Sequence, residues 1–241
     1  MDTLTHLRAV TGAFEAELAT ADPTAPLAVP RWTVTGLAGH LGAVHRWAAA
    51  NTGTTSRAEF ADAPPDADPA AYYAESRAAL LSALDGLDPA TPCWTFDRAD
   101  RTVRFWLRRQ LHESLVHLWD LRSAADPDAP APPDVPPDVH ADGVDELVGL
   151  FLPRADRTAL RDLPAPLVLC ATDVGRSWAF APDWTPGPAV DGATTVCGPA
   201  GELLLFGWAR LRRTDERFAG TLAVDGDEAV VDAFTAARVR P

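Results

Sequence analysis

The chain has 241 residues, of which 47% are hydrophobic and 23% charged, and a formal net charge of −13. Those fractions belong to a folded globular protein, and the excess of negative charge argues against nucleic acid or an anionic membrane as a partner, since phosphates need clustered cations. Cys93, Cys170 and Cys197 are odd in number and show no C-x-x-C spacing, so neither a disulfide framework nor a thiolate zinc site is indicated.

The first residues, MDTLTHLRAVTGAFEAELA, carry acidic side chains and helical periodicity where a signal peptide would have a positive start and an apolar run. No window reaches the roughly 20 apolar residues that span a bilayer, and a cytoplasmic protein is expected. Asp2 or Thr3 can cap a first helix with Leu4, Leu7, Phe14 and Leu18 at helical spacing, ending before Pro23. Thr33 or Thr35 opens a second, to about Asn51, packing through Leu37, Leu41, Val44 and Ala48. His40 flanks that stripe, where a histidine is either a core-edge residue or a ligand; His45 points elsewhere and is expected to be exposed. A loop over 53–68 precedes a third helix that Pro69 suits at its first turn, with Tyr72, Tyr73, Leu80, Leu84 and Leu87 as its apolar positions. Arg77 on this helix faces either a site or solvent. A short hairpin is expected around 94–101.

The fourth helix runs from Thr102 to about Ala125 and contains WLRRQLHESLVHLWD. At about 3.6 residues per turn, Trp106, Arg109, Gln110, Glu113, His117 and Asp120 share one face, and Leu107, Leu111, Leu115 and Leu118 another. His112 and His117 are five apart and diverge, so this is not the i, i+4 histidine pair of a zincin. Glu113 and His117 converge, so a metal bound here would take that pair, with further ligands from elsewhere. Periodicity alone also allows Glu113, His117 and Asp120 to be a solvated face opposite the leucines. Four helices joined by loops read as an antiparallel bundle, in which metal sites are built from facing helices.

PDAPAPPDVPP, residues 127–137, is proline-dense without apolar period and reads as a stiff spacer. It sets the expected domains at 1–126 and 138–241. A helix over 139–154 then leads into strands at 167–172, 177–181, 194–197 and 221–224, with helices after Gly198-Pro199 and after Asp225-Gly226. This is a smaller α+β domain. Its Gly198-Pro199-Ala200-Gly201 lacks the Gly-Lys-Ser/Thr ending of a phosphate loop.

Three stretches together resemble the mycothiol-dependent maleylpyruvate isomerase-like family, whose N-terminal part belongs to the DinB-like metal-binding bundles. They are Trp32-Thr33-Val34 with Leu37 and His40-Leu41; Arg109, His112-Glu113, Val116-His117 and Trp119-Asp120; and VCGPAGELLLFGWAR over 196–210. The family often has Cys-Pro before its first tryptophan, where this chain has Pro30-Arg31. The resemblance implies a DinB-like four-helix bundle with a C-terminal α+β domain, and a metal triad at His40, Glu113 and His117 holding zinc or another divalent cation. Three protein ligands leave a fourth position open, as in catalytic sites.

The resemblance further implies mycothiol, a low-molecular-weight thiol, as cofactor and a small electrophilic molecule as substrate. A thiol at the metal is deprotonated and adds to a carbon conjugated to a carbonyl. The outcome is either cis-trans isomerisation or S-transfer. Arg109 or Arg77 would hold a substrate carboxylate or enolate, and Asp120 would accept from the second ring nitrogen of His117. Two other readings stay open: a hydrolase using metal-bound water, and a non-catalytic binder of a small apolar molecule.

Overall fold

Asp2 accepts a hydrogen bond from the Thr5 amide at 3.2 Å and so opens α1 (Thr3–Leu18), which buries Leu7, Val10, Phe14 and Leu18 on one stripe. The computed structural model describes residues 2–27, 32–125, 130–156, 160–237 and 239. Pro30-Arg31 and part of the proline-rich spacer lie outside these. The chain divides into two compact units at Pro133/Asp134, inside the stretch expected to be the spacer.

In the first unit Thr33 caps α2 (Val34–Thr52) by accepting from the Gly36 amide. Asp68 caps α3 (Pro69–Leu84), with Pro69 in its first turn, and α4 spans Val103–Ala125. The four helices pack as a bundle, α2 against α3 and α4, and α1 against α3 and α4. Ion pairs brace α1 from two sides, Arg122 on Glu17 and Arg77 on Glu15. The loop over 53–68 is pinned by buried Asn51, which accepts from the Ala58 amide, and by Trp47, which donates to the Ala58 carbonyl. Trp47 meets Trp106 and Trp94 edge to face at 5.2 and 5.6 Å, the arrangement aromatic quadrupoles favour, and Trp106 donates to the Trp94 carbonyl. The expected hairpin at 94–101 reduces to a single bridge, Pro92 with Thr102, because Thr95 turns inward to donate to the carbonyls of Asp97 and Asp100.

The second unit begins with α5 (Pro137–Glu146). The helix expected through 154 widens instead into a π turn (Leu147–Phe151) and a 3-10 turn (Leu152–Arg154). Pro153 accounts for this, since it lacks an amide proton and its ring clashes with the carbonyl four residues earlier. Five strands follow, β1 (Leu167–Ala171), β2 (Arg176–Phe180), β3 (Pro186–Gly187), β4 (Thr194–Gly198) and β5 (Ala223–Asp225), in spatial order β3-β2-β1-β4-β5. Only β1 and β4 are parallel. Helices α6 (Ala200–Gly207), α7 (Glu216–Thr221) and α8 (Glu228–Ala236) complete the unit. Thr221, expected to start a strand, ends α7, and its carbonyl lies 2.6 Å from where a Cβ on Gly198 would stand. Gly198 is thus required by a close backbone approach. Among the described residues no helix is long and apolar enough to cross a membrane.

Candidate metal centre

α4 is buried on nearly every side. Its leucines face the core as expected, but so does the polar stripe: Gln110 is fully buried, and Arg109, His117 and Asp120 are each at most 7% exposed. This overturns the solvated-face reading. A carboxylate and imidazole inside a bundle must be paired to be tolerated, and each of these is.

The Glu113 carboxylate is the hub. His40 Nε2 from α2, 73 residues earlier, lies 3.2 Å from Glu113 Oε1, and His117 Nε2 lies 3.3 Å from the same oxygen. Arg109, one turn back on α4, binds Oε2. His117 Nδ1 is 2.9 Å from Asp120 Oδ2; a carboxylate only accepts, so Nδ1 carries the proton and Nε2 turns to the hub. The two imidazoles cross nearly perpendicular at 5.2 Å. Trp32, 39% exposed, lies 4.7 Å from His40 and 6.0 Å from His117 and forms an apolar wall at the outer side. The side chain of His40 is about one third exposed and that of His117 only 8%, so the cluster opens toward α2 and Trp32.

Charges follow from this geometry. Burial works against charge on His117, but Asp120 and Glu113 outweigh it and raise its pKa to about 9. Burial likewise opposes ionisation of Glu113, yet Arg109 and the two imidazoles hold its carboxyl well below the ordinary range.

The donor set fits a divalent ion. One ligand atom from each of His40, Glu113 and His117 lies within 4.8 Å of the others. A tetrahedral ion with bonds of about 2.0–2.1 Å needs ligand atoms roughly 3.3 Å apart, and the two edges at Glu113 measure 3.2 and 3.3 Å. Among the described residues no other such group of three occurs.

Residues 4–122, which contain all three, match the profile of the mycothiol maleylpyruvate isomerase N-terminal domain. Those residues form a domain of that family. The whole chain also shares the fold of a mycothiol-dependent maleylpyruvate isomerase crystal structure, with a TM-score of 0.65 at 16% identity, covering 93% of this chain and 92% of that one. A histidine-to-alanine mutant of a mycothiol-dependent maleylpyruvate isomerase gives 0.67 at 15% identity over the same shares. No curated protein sequence matches the chain.

Of the other residues singled out, Arg77, His112 and His45 lie outside the cluster. Arg77 does not join it: its guanidinium donates to Thr11 Oγ1, Glu15 and the Arg8 carbonyl, all on α1. His112 is buried but not in the cluster. His45, expected to be exposed, is fully buried, with Nδ1 at 2.7 Å from Gln110 Oε1, and burial lowers its pKa to about 4. Helical spacing did not reveal this, because at about 100° per residue positions 44 and 45 both adjoin the stripe through 37, 41 and 48, and Val44 is only half-buried. A depression of about 640 Å³, bordered by Ala49, Thr52, Leu87 and Pro92, has no titratable side chain in its lining. It begins nine residues beyond His40, roughly 13 Å along the helix, and is not part of the hub.

Proposed function

We propose that the protein is an enzyme that holds a zinc ion on His40, Glu113 and His117 and uses mycothiol as a thiol cofactor to isomerise a small cis-configured electrophile. The observation that carries this reading is the convergence of three ligand atoms from α2 and α4, with an exposed side at Trp32, on a domain of this family. Bound there, the ion supplies a positive charge that favours the thiolate form of an incoming thiol at neutral pH.

The chain's own residues act by positioning. Asp120 keeps the proton on His117 Nδ1 and so leaves Nε2 as a lone-pair donor toward the hub. Arg109 occupies Glu113 Oε2 and presents Oε1; we therefore assign Arg109 to orienting a ligand rather than to gripping a substrate carboxylate. Arg77, bound to α1, has the same difficulty as a substrate clamp. Trp32 offers a flat apolar surface on which a conjugated substrate can lie.

Mycothiol held beside His40, Glu113, His117 and Trp32 would supply a nucleophilic sulfur for reversible addition to a double bond conjugated to a carbonyl, chemistry that serves either cis-trans isomerisation or S-transfer.

Elemental analysis and a maleylpyruvate assay test the reading together. About one zinc per chain is expected in the wild type and none in His40→Ala or Glu113→Gln, with turnover only when mycothiol is present. Wild-type protein that takes up no stoichiometric zinc, or turnover indifferent to the thiol, would remove the proposal; the latter would favour a hydrolase.

A further inference from the structure

Cys170 and Cys197 were unremarkable in the sequence, 27 positions apart and without a motif. Strand pairing brings them together. β1 and β4 are parallel, and in their register Cys170 stands directly opposite Cys197. Register partners in neighbouring strands project to the same face. Leu167, Leu169, Ala171 and Val196 alternate with the cysteines, are fully buried, and take the face on which α6 and α8 pack. The cysteines therefore share the other face, where both are half-exposed. Adjacent strands lie about 4.8 Å apart, inside the roughly 4.4–6.8 Å that separates the Cα atoms of bridged cysteines.

We propose that Cys170 and Cys197 form a vicinal dithiol site that reacts with disulfides of low-molecular-weight thiols and closes to an intrachain disulfide. The site lies in the C-terminal unit and does not depend on the metal reading. Burial together with the neighbouring Cys170 raises the Cys197 pKa to about 11, so Cys170 is the attacking sulfur and Cys197 the resolving one.

In the first step the Cys170 thiolate attacks one sulfur of the small disulfide. That sulfur–sulfur bond breaks, a mixed disulfide forms on Cys170, and the departing thiolate takes up a proton. In the second step the Cys197 sulfur, losing its proton, attacks Cys170 and expels the second small thiol. The two cysteines lose two electrons and two protons, and the small disulfide gains them. Cys93, buried at 3% exposure in the other unit, serves as an internal reference.

The test treats the native full chain with glutathione disulfide and follows intact mass and peptide maps. The wild type is expected to lose two hydrogens and retain no glutathione, with the new link mapping to Cys170 and Cys197. Cys197→Ser should retain one glutathione on Cys170, and Cys170→Ser should react at least about tenfold more slowly. Phenylarsine oxide, which needs two neighbouring thiols, gives a readout free of oxidation and should bind the wild type one to one and neither single variant. Stable glutathione adducts on the wild type, an unchanged mass, or equal arsenical binding by the single variants would each overturn the proposal.

Discussion

Asp120 touches no open part of the site, yet it sets which nitrogen of His117 is available. Asp120→Asn preserves its size and removes the charge that fixes the imidazole. Zinc affinity, measured by competition with a chromogenic chelator, should weaken about 10- to 100-fold, while the circular dichroism spectrum stays that of the wild type. The same residue governs the pH response. In the metal-free protein His117 has a raised pKa of about 9, so its charged form stabilises the fold below pH 6.5 and that contribution is lost as pH rises through 9. Zinc must displace the Nε2 proton, so its apparent affinity moves the opposite way, rising from pH 6 toward 9. Calorimetry in buffers of different ionisation enthalpy should detect proton release on zinc binding at pH 7. An affinity flat across that range would contradict the assignment.

At the scale of elements, α4 shows how a helix can be polar on one face and still be internal. Its carboxylates are matched by Arg109, His40 and His117, and its leucines by α1 and the rest of the bundle. Periodicity reported the two faces correctly but could not say that both were covered, since burial depends on neighbours. Gly198 makes the same point in the second unit. In the sequence it stands with Pro199 at the opening of a helix, and its real constraint is the Thr221 carbonyl against β4. Gly198→Ala should destabilise the protein by about 1–3 kcal/mol through overpacking against backbone, seen as a lower midpoint in urea. Gly187→Ala, where a Cβ meets nothing within 4 Å, should stay within about 0.5 kcal/mol. Equal effects at the two positions would refute the close-approach argument.

At the scale of the whole molecule, a ligand that binds only the folded first unit stabilises that unit by mass action, about 2.7 kcal/mol at a hundredfold excess over Kd. Chelation should therefore speed amide exchange in α2 and α4, which carry His40, Glu113 and His117, and leave β1 and β4 unchanged. Uniform loss of protection in both units, or none in either, would argue against a cation at the hub.

Much of this protein was legible residue by residue because it depends on local rules. Thr33 announces a helix start through its side-chain oxygen, Pro69 suits a first turn, and a period of 3.6 places Glu113 and His117 together on α4. Those relations need only neighbours along the chain. Tertiary structure alone decided that His40 reaches Glu113 across 73 positions, that Arg77 faces α1, that His45 is enclosed, and that Cys170 meets Cys197. Each is a contact between segments distant in sequence, fixed by packing angle and strand register, and no local preference encodes either.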